Sequence, residues 1–142
     1  MTDLQRAVAC LEAENRTCVL CRGDSYHKSD SRGVAPLLRW LDQGVEAKGF
    51  SAADRVVGKA TAFLYQLLGV RAVYARVMSR PALQVLEKAG IQASWGKLVE
   101  GIQNRQQDGP CPMEQATQNI NDAAQALAAI RQTLERLQAN GK

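Results

Sequence analysis

Apolar residues recur at intervals of three and four near the start of the chain, where Leu4, Val8 and Leu11 share one face of a helix. Polar residues fill most of the positions between them, as in a helix that has one apolar face. The pattern predicts an amphipathic helix from about Thr2 to Glu14.

The pattern then changes to two short extended runs in "TCVLCRGDSYHKS" (17–29). Gly23-Asp24 between them is typical of a tight β-hairpin turn. The run 18–21 is apolar on both faces, which predicts an inner strand, whereas the polar run 25–29 predicts an edge strand.

A helix is predicted next, within "SDSRGVAPLLRWLDQG" (29–44). Pro36 suits the first turn of a helix, because proline lacks the N–H that a helix start leaves unbonded. Gly44 marks the end of this helix.

A second helix is predicted within "SAADRVVGKATAFLYQLLG" (51–69). Ser51 and Asp54 have the spacing of a capping box at its start. Gly58 inside this helix costs about 1 kcal/mol relative to alanine, so we expect a reason such as helix packing or the close approach of a backbone or ligand. The buried stripe predicted for the helix consists of Val56, Ala60, Phe63, Leu64 and Leu67.

The apolar run "VRAVYARVM" (70–78) predicts a central strand. A further helix is predicted to begin at Ser79-Arg80-Pro81 and to stop at Gly90. Its predicted buried residues are Ala82, Val85, Leu86 and Ala89.

The last predicted strand is the short run "IQASW" (91–95), followed by a segment, 96–109, that is mostly loop. Helix resumes at Pro112. The order is therefore helix, strand, strand, helix, helix, strand, helix, strand, helix, which predicts an α/β fold with a mixed sheet covered by helices on both faces. A chain of 142 residues with 46% hydrophobic content buries one core and is too short for two ordinary domains.

The net charge of +4 is compatible with acidic ligands, although lysine and arginine are spread along the chain rather than clustered. No stretch approaches the roughly 18 apolar residues of a membrane-spanning helix. The first residues lack the apolar core of a signal peptide. We expect a cytoplasmic protein with no membrane partner, in which cysteines 10, 18, 21 and 111 are thiols rather than disulfides.

Three motifs carry a resemblance to a known family: "SRGVAPL" (31–37), "ADRVVGKA" (53–60) and "NRQQDGPCPME" (104–114). In this order and at these intervals they resemble a bacterial family of unknown function whose fold is cytidine deaminase-like. The resemblance covers about residues 4–120. It implies a three-layer α/β/α sandwich around a five-stranded mixed sheet, and it implies no particular activity, because the family has none settled. We take 1–120 as the domain and 121–142 as a C-terminal amphipathic helix of the same unit or an oligomerisation arm.

Pro110-Cys111, followed by Glu114, half repeats the P-C-x-x-C signature of zinc-dependent deaminases. Such an enzyme carries H-x-E or C-x-E at the start of the helix after the hairpin, and P-C-x-x-C at the start of the helix after the next strand. The helices predicted to begin at 53–56 and 79–83 have no His or Cys there. We therefore expect no metal site and no cofactor.

Two other metal-binding residue types have simpler interpretations. Cys18 and Cys21 are three residues apart on a strand, so they point to opposite faces and cannot close on one metal ion. The sole histidine, His27, lies on the predicted edge strand, where we expect it to be solvent-exposed.

The leading functional hypothesis is a zinc-free domain that binds an anionic, nucleotide-like small molecule near the carboxyl ends of the inner strands. Ser31-Arg32-Gly33 opens a helix with free backbone amides and a guanidinium, which suit phosphate or carboxylate, although ordinary N-capping explains the motif equally well. Lys59 is predicted to converge on the same anion, with Asp54 as the nearby carboxylate that neutralises the two cations. Ser79, Asn104 and Arg105 complete the candidate ligand-binding set.

The alternative from the enzyme class makes Cys111 a nucleophile or sulfur carrier, with Glu114 and Lys59 nearby as tentative catalytic residues. A thiol at a helix start favours the thiolate form, and Glu114 three residues on has the spacing of a reciprocal cap. A third alternative is a structural interaction module, so catalysis stays open. Nucleic-acid binding ranks lower, because no stacking platform of aromatic and basic residues is visible.

The C-terminal segment 121–142 has apolar residues that step by three and four, with Asp122 as a plausible cap. Such a seam requires a partner surface. Docking on the chain's own domain and helix-mediated homodimerisation both satisfy it. The residues of the seam are Leu127, Ile130, Leu134 and Leu137.

Overall fold

The computed structural model describes residues 1–104, 106 and 109–140, with the side chain of residue 140 excepted. Within them the chain alternates between helices and strands, as an α/β protein does. In chain order the elements are α1 (Asp3–Ala13), β1 (Cys18–Arg22), β2 (Ser25–Ser29), α2 (Ala35–Asp42), β3 (Ser51–Val57), α3 (Lys59–Leu68), β4 (Ala72–Ser79), α4 (Arg80–Lys88), β5 (Gln92–Val99), α5 (Pro112–Thr117) and α6 (Ala123–Asn140).

The strands form one five-stranded mixed sheet in the order β2-β1-β3-β4-β5. β1 pairs antiparallel with β2 and with β3, whereas β3–β4 and β4–β5 are parallel pairs. Each parallel pair is joined by a helix, because the chain has to return from the carboxyl end of one strand to the amino end of the next. The α/β class with a mixed sheet that the sequence predicts is confirmed, as is the five-strand count implied by the resemblance.

The first three elements agree with their local sequence signals. Helix α1 begins with a capping box in which Thr2 and Gln5 exchange hydrogen bonds between side chain and backbone. The hairpin turns at Gly23, whose φ of +58° favours glycine over other residues. The predicted inner strand is the buried β1, and the predicted edge strand is the largely exposed β2.

The segment from Ser51 to Val57 is a strand, so the prediction of a helix starting at residue 51 is wrong. It pairs with β1 along one edge and with β4 along the other, and this pairing outweighs the weak helical period. Ser51 and Asp54 therefore form no capping box. Val56 is 44% exposed rather than part of a buried stripe.

The helix that does follow, α3, starts after Gly58, which is its N-cap and not an interior residue. Of the stripe predicted for it, Ala60, Phe63 and Leu64 are buried, whereas Leu67 is exposed. Because α3 is nearly buried all round, an amphipathic stripe describes it poorly.

The second half of the sheet agrees with the prediction in its order but not in its extent. The central strand β4 and the N-cap of α4 at Ser79 are confirmed. Ala89, predicted to be buried, is exposed at the end of α4. β5 continues to Val99 instead of ending at Trp95, because β4 pairs with the residues that follow Gly96, which the sequence predicts to be a loop.

Apolar side chains pack on both faces of the sheet. On one face, α1 packs Ala7 and Leu11 against β1 and β3. On the other face lies a larger core built from α2, α3 and α4, with residues such as Leu37, Leu64 and Leu86. Helices therefore cover both faces, as the sequence predicts.

Helix α6 packs against α3 and α5. Ile130 is fully buried, Leu127 and Leu134 pack against the same core, and Leu137 is 41% exposed. The seam thus docks on its own domain, while dimerisation stays a prediction. Asp122 accepts a hydrogen bond from Gln125 N at the start of the helix. None of the helices in the described ranges combines the length and apolar character needed to cross a bilayer.

Candidate functional site

A cavity of about 410 Å³ lies where the amino ends of α2 and α3 meet α5. Several segments that are distant in sequence contribute to its walls. The cavity is lined by Thr17, Cys18, Ser31, Arg32, Gly33, Val34, Pro36, Asp54, Arg55, Val56, Gly58, Ala60, Thr61, Ile102, Cys111, Met113 and Glu114. Of the residues that the sequence nominates, it brings together Ser31, Arg32, Gly33, Asp54, Cys111 and Glu114.

The loop before α2 forms one side of the cavity. Gly33 has a φ of +68°, a conformation that other residues rarely adopt. Val34 is the N-cap of α2 and provides no side-chain acceptor for the first amides of the helix. The Ser31 hydroxyl accepts a hydrogen bond from Arg39, so ordinary N-capping by Ser31 is not what occurs here. Arg32 is exposed and makes no hydrogen bond or ion pair to the residues that the structure describes.

A chain of hydrogen bonds lies beneath the cavity. The Tyr65 hydroxyl donates to Oδ2 of Asp54 at 2.6 Å, and Sγ of Cys18 lies 3.0 Å from the same hydroxyl. Because the tyrosine proton points to Asp54, the Cys18 thiol is the donor in the second contact. Burial raises the pKa of the Asp54 carboxyl to about 6. Burial also raises the pKa of the Cys18 thiol well above its ordinary value, so this thiol stays protonated.

Arg55 lies beside Asp54 but is committed to the loop between α1 and β1. Its guanidinium donates to the carbonyl and the side-chain oxygen of Asn15, each at 2.8 Å, and to the carbonyl of Arg16 at 2.9 Å. Asn15 has a φ of +54°, and Arg55 holds it in this left-handed conformation. The Arg55 side chain therefore fixes the cavity wall and has few donors left for a ligand.

Glu114 reaches from α5 to the amino end of α3. Its carboxylate accepts a hydrogen bond from the backbone N–H of Lys59. Burial raises the pKa of Glu114, and the hydrogen bond from the Lys59 amide opposes that shift. Glu114 thus caps α3, which has no side-chain cap of its own.

Gly58 makes this approach sterically feasible. A Cβ atom at position 58 would overlap Oε1 of Glu114 and lie 2.9 Å from its Cδ. The backbone of Gly58 is extended, with φ −97° and ψ −177°, so the absence of a side chain and not the backbone angle is what matters. The reason expected for a glycine here is therefore the close approach of a carboxylate.

Cys111 is the N-cap of α5, as predicted, but its side chain makes no cap hydrogen bond. The reciprocal cap predicted between Cys111 and Glu114 is wrong, because the Glu114 carboxylate is bound at α3. Cys111 is partly exposed at the cavity, whereas the thiols of Cys10, Cys18 and Cys21 are buried.

The Lys59 ammonium does not reach the cavity. Its Nζ donates to the carbonyl of Gln118 at 3.0 Å and lies 5.9 Å from the centre of the Phe63 ring. The predicted convergence of Arg32 and Lys59 on one anion is therefore wrong. What Lys59 places beside the cavity is its amide.

The remaining predicted ligand residues lie elsewhere. Ser79 is fully buried and accepts a hydrogen bond from Ala82 N at the start of α4, so it serves as a cap. Asn104 does not line the cavity, and its backbone N–H donates to the carbonyl of Gly109 at 2.9 Å. Arg105 lies outside the described residues.

The helix starts that correspond to the zinc-ligand positions of a deaminase are not the ones predicted from the sequence. The helix after the hairpin is α2 and the helix after the next strand is α3, so the relevant segments are 31–37 and 58–61 rather than 53–56 and 79–83. Neither contains His or Cys. Among the described residues, no three His, Cys, Asp or Glu side chains group as metal ligands would.

His27 is not solvent-exposed, contrary to the prediction. Its ring packs 6.1 Å from that of Trp40 and 5.5 Å from that of Phe50, measured between ring centres. It is half-buried on β2, where it extends the aromatic packing of α2 onto the edge strand.

Sequence reasoning missed Tyr65 and interpreted Cys18 as ordinary core. Tyr65 lies in an apolar helix, and the one available signal was that a buried tyrosine hydroxyl needs a partner. Eleven residues separate it from Asp54, and only the packing of α3 on β3 brings the two together.

The chain matches the family described as "TM1506: Domain of unknown function (DUF1893)" over residues 6–134, which include most of α6. The crystal structure of a DUF1893 family protein (TM1506) from Thermotoga maritima aligns with a TM-score of 0.85 at 21% sequence identity, covering 93% of this chain and 90% of that chain. No curated protein matches the chain. Because the family match extends over most of the sequence, and a structure from that family has the same fold, this chain belongs to the DUF1893 family.

Proposed function

We propose that the cavity between α2, α3 and α5 binds a small anionic molecule of nucleotide-like size and polarity. The observation that carries the proposal is the position of Arg32, which has no ionic partner among the described residues. Arg32 lies at a cavity beside the uncapped amino end of α2. A guanidinium together with free helix amides binds phosphate and carboxylate groups well.

The rest of the cavity suits a ligand that also has polar, uncharged groups. Asp54 presents a carboxyl whose pKa of about 6 makes the neutral form accessible near neutral pH. Val34, Pro36 and Met113 supply apolar surface to the same walls. A ligand with an anionic group at the Arg32 end and hydrogen-bonding groups at the Asp54 end complements both regions.

The location of the cavity supports a deaminase-like arrangement. Zinc-dependent deaminases build their active sites from the start of the helix after the hairpin and the start of the helix after the next strand. Here these two helix starts, at α2 and α3, line the same cavity without His or Cys. We infer a cytidine deaminase-like fold that keeps the location of a nucleotide-sized site.

The test is a titration of inorganic phosphate and nucleoside monophosphates into the protein at fixed ionic strength, with the melting temperature as readout. A ligand at a hundredfold excess over its Kd stabilises the folded protein by about 2.7 kcal/mol. We expect Arg32→Ala to lose most of this response. Arg136→Ala removes the same charge from an exposed position of α6 and should respond like the wild type. Equal responses from all three proteins would show that Arg32 is a surface charge.

A second candidate function is thiol chemistry at Cys111, because this residue lines the same cavity and is the one described cysteine that is not buried. Selective alkylation of Cys111 at neutral pH, suppressed by a ligand found in the titration, would support it. Equal modification rates with and without the ligand would place Cys111 outside the ligand site.

A further inference from the structure

Helix α5 forms one wall of the cavity. One residue of α3, Lys59, holds α5 at two points. The backbone N–H of Lys59 donates to the Glu114 carboxylate, and the Lys59 ammonium donates to the carbonyl of Gln118. The chain before α5 is held by Cys111 N, which donates to the carbonyl of Ile102 at 2.9 Å. The six-residue α5 is too short to be stable alone, so these contacts and its packing on α6 hold it in place.

The Glu114 contact differs from the other two because it occupies space that every residue except glycine would fill. Gly58 and Glu114 are matched in shape, since a Cβ at position 58 and the carboxylate cannot coexist without movement. The carboxylate is also largely removed from water, so it needs the α3 amides to stay in place.

We propose that α5 is a lid over the inner part of the cavity, at Asp54 and Cys18, latched by the Glu114 carboxylate at the amino end of α3, and that a ligand held at the exposed Arg32 reaches this inner part when the latch opens. The route of the ligand in this proposal rests on the proposed function. An anion that approaches the cavity repels the Glu114 carboxylate. The backbone N–H of Lys59, which donates to that carboxylate in the closed state, can then donate to the ligand instead. Opening also uncovers Cys18, which lines the cavity floor and is fully buried while the lid is closed.

The latch is tested by opening it from either side. Glu114→Ala removes the carboxylate, and Gly58→Ala expels it by adding a Cβ to an extended backbone that alanine adopts freely. Gln115→Ala is the matched control, because Gln115 is an exposed neighbour on the same helix whose side chain makes no hydrogen bond to the described residues. The readouts are iodoacetamide labelling of Cys18, located by mass spectrometry, and amide hydrogen exchange of Lys59.

We expect both latch variants to speed Cys18 labelling and Lys59 exchange at least about tenfold, with the Gln115→Ala protein unchanged. The double variant Gly58→Ala/Glu114→Ala should label no faster than Glu114→Ala alone, because the carboxylate is already gone and the added Cβ then meets only Cγ1 of Ile102, at 3.1 Å, a contact that a small shift of that side chain relieves. Local opening is distinguished from global unfolding by comparison with labelling of Cys21, which is buried away from α5 and should stay slow.

Two results would overturn the lid. If Glu114→Ala lowers the melting temperature but leaves Cys18 labelling at the wild-type rate, Glu114 is a fixed helix cap. If Gly58→Ala speeds labelling equally with and without Glu114, its effect does not pass through the carboxylate.

Inorganic phosphate separates failure of the lid from failure of the proposed function. If phosphate stabilises the wild type, we expect Glu114→Ala to bind it about tenfold more tightly, since no carboxylate opposes it. Unchanged or weaker phosphate binding would show that the Glu114 carboxylate does not oppose the ligand. If phosphate and nucleotides stabilise none of the proteins, the proposed function fails, and the labelling rates still decide whether α5 opens.

Discussion

The hydroxyl of Tyr65 donates to the Asp54 carboxyl at 2.6 Å, and this contact joins α3 to the central strand β3 directly beneath the cavity. Both groups are buried, and their other partners include the Cys18 thiol for the Tyr65 hydroxyl and the backbone N–H of Val56 for the Asp54 carboxyl. Because Asp54 also lines the cavity, a change in its protonation alters the fold and the site together.

The protonation of Asp54 makes stability depend on pH. Its folded-state pKa of about 6 exceeds the ordinary value of 3.8, so the folded protein binds this proton more tightly than the unfolded chain does. The free energy of unfolding therefore falls as the pH rises between these two values and levels off above the higher one. We expect the difference in unfolding free energy between the wild type and Asp54→Asn to fall by roughly 2 kcal/mol from about pH 4 to about pH 7.5.

Urea unfolding of both proteins across that pH range measures the difference. Other carboxyls, such as Asp42, whose pKa is lowered by Arg131, titrate in both proteins and cancel. A difference that does not change with pH would mean that Asp54 titrates alike in the folded and unfolded chains.

Removal of the Tyr65 hydroxyl tests the other half of the contact. We expect Tyr65→Phe to lower the free energy of unfolding at neutral pH by about 1–3 kcal/mol, because the buried Asp54 carboxyl then loses its side-chain donor and keeps only backbone N–H groups. It should also raise the pKa of Asp54 further, since the lost hydrogen bond lowers that pKa. The control is Tyr74→Phe, because the half-buried Tyr74 makes no hydroxyl hydrogen bond to the described residues. Equal losses from both variants would assign the effect to the ring and not to the Asp54 contact.

The protein as purified is expected to hold no stoichiometric zinc and not to deaminate cytidine. The reason is that segments 31–37 and 58–61 supply neither His nor Cys at the two helix starts from which deaminases take their zinc ligands. Elemental analysis of protein prepared without chelators, together with an ammonia-release assay, measures both. One tightly held zinc ion per chain would contradict this expectation.

Two substitutions in α6 separate its docking from self-association. We expect Ile130→Ala to cost about 2–5 kcal/mol of unfolding free energy, because its side chain is fully buried in the domain core. Leu137→Ala should cost less than about 0.5 kcal/mol in a monomer, because Leu137 is 41% exposed. Sedimentation and denaturant unfolding at two protein concentrations measure both. A concentration-dependent loss in Leu137→Ala would instead place this residue in a homodimer contact.

The sequence predicted elements whose signals are local. α1 and α4 have caps and apolar periods within their own residues, and the β1–β2 hairpin has its turn at Gly23. β3 was missed because its residues can serve a helix or a strand, and pairing with β1 and β4 decides between them. The end of β5 was missed for a similar reason, since β4 provides the hydrogen-bonding edge that extends it.

For the candidate site, the sequence nominated Arg32, Asp54, Cys111 and Glu114, which do line one cavity, from their residue types and their closeness to predicted helix starts. It could not say which side chains share a partner. The contacts of Tyr65 with Asp54 and of Glu114 with the amide of Lys59 join residues 11 and 55 positions apart, and no periodicity within one element encodes them.

Lys59 shows most directly which properties the sequence determined and which the tertiary structure decided. By itself the sequence determined that a cation follows Gly58 within a predicted helix, because residue type and helical periodicity are local properties. Only the tertiary structure decided that the ammonium turns outward to Gln118 while the amide holds the Glu114 carboxylate. The physical reason is that the direction of a side chain depends on how its helix is rotated against the sheet, and the packing of α3 between β3, α5 and α6 sets that rotation.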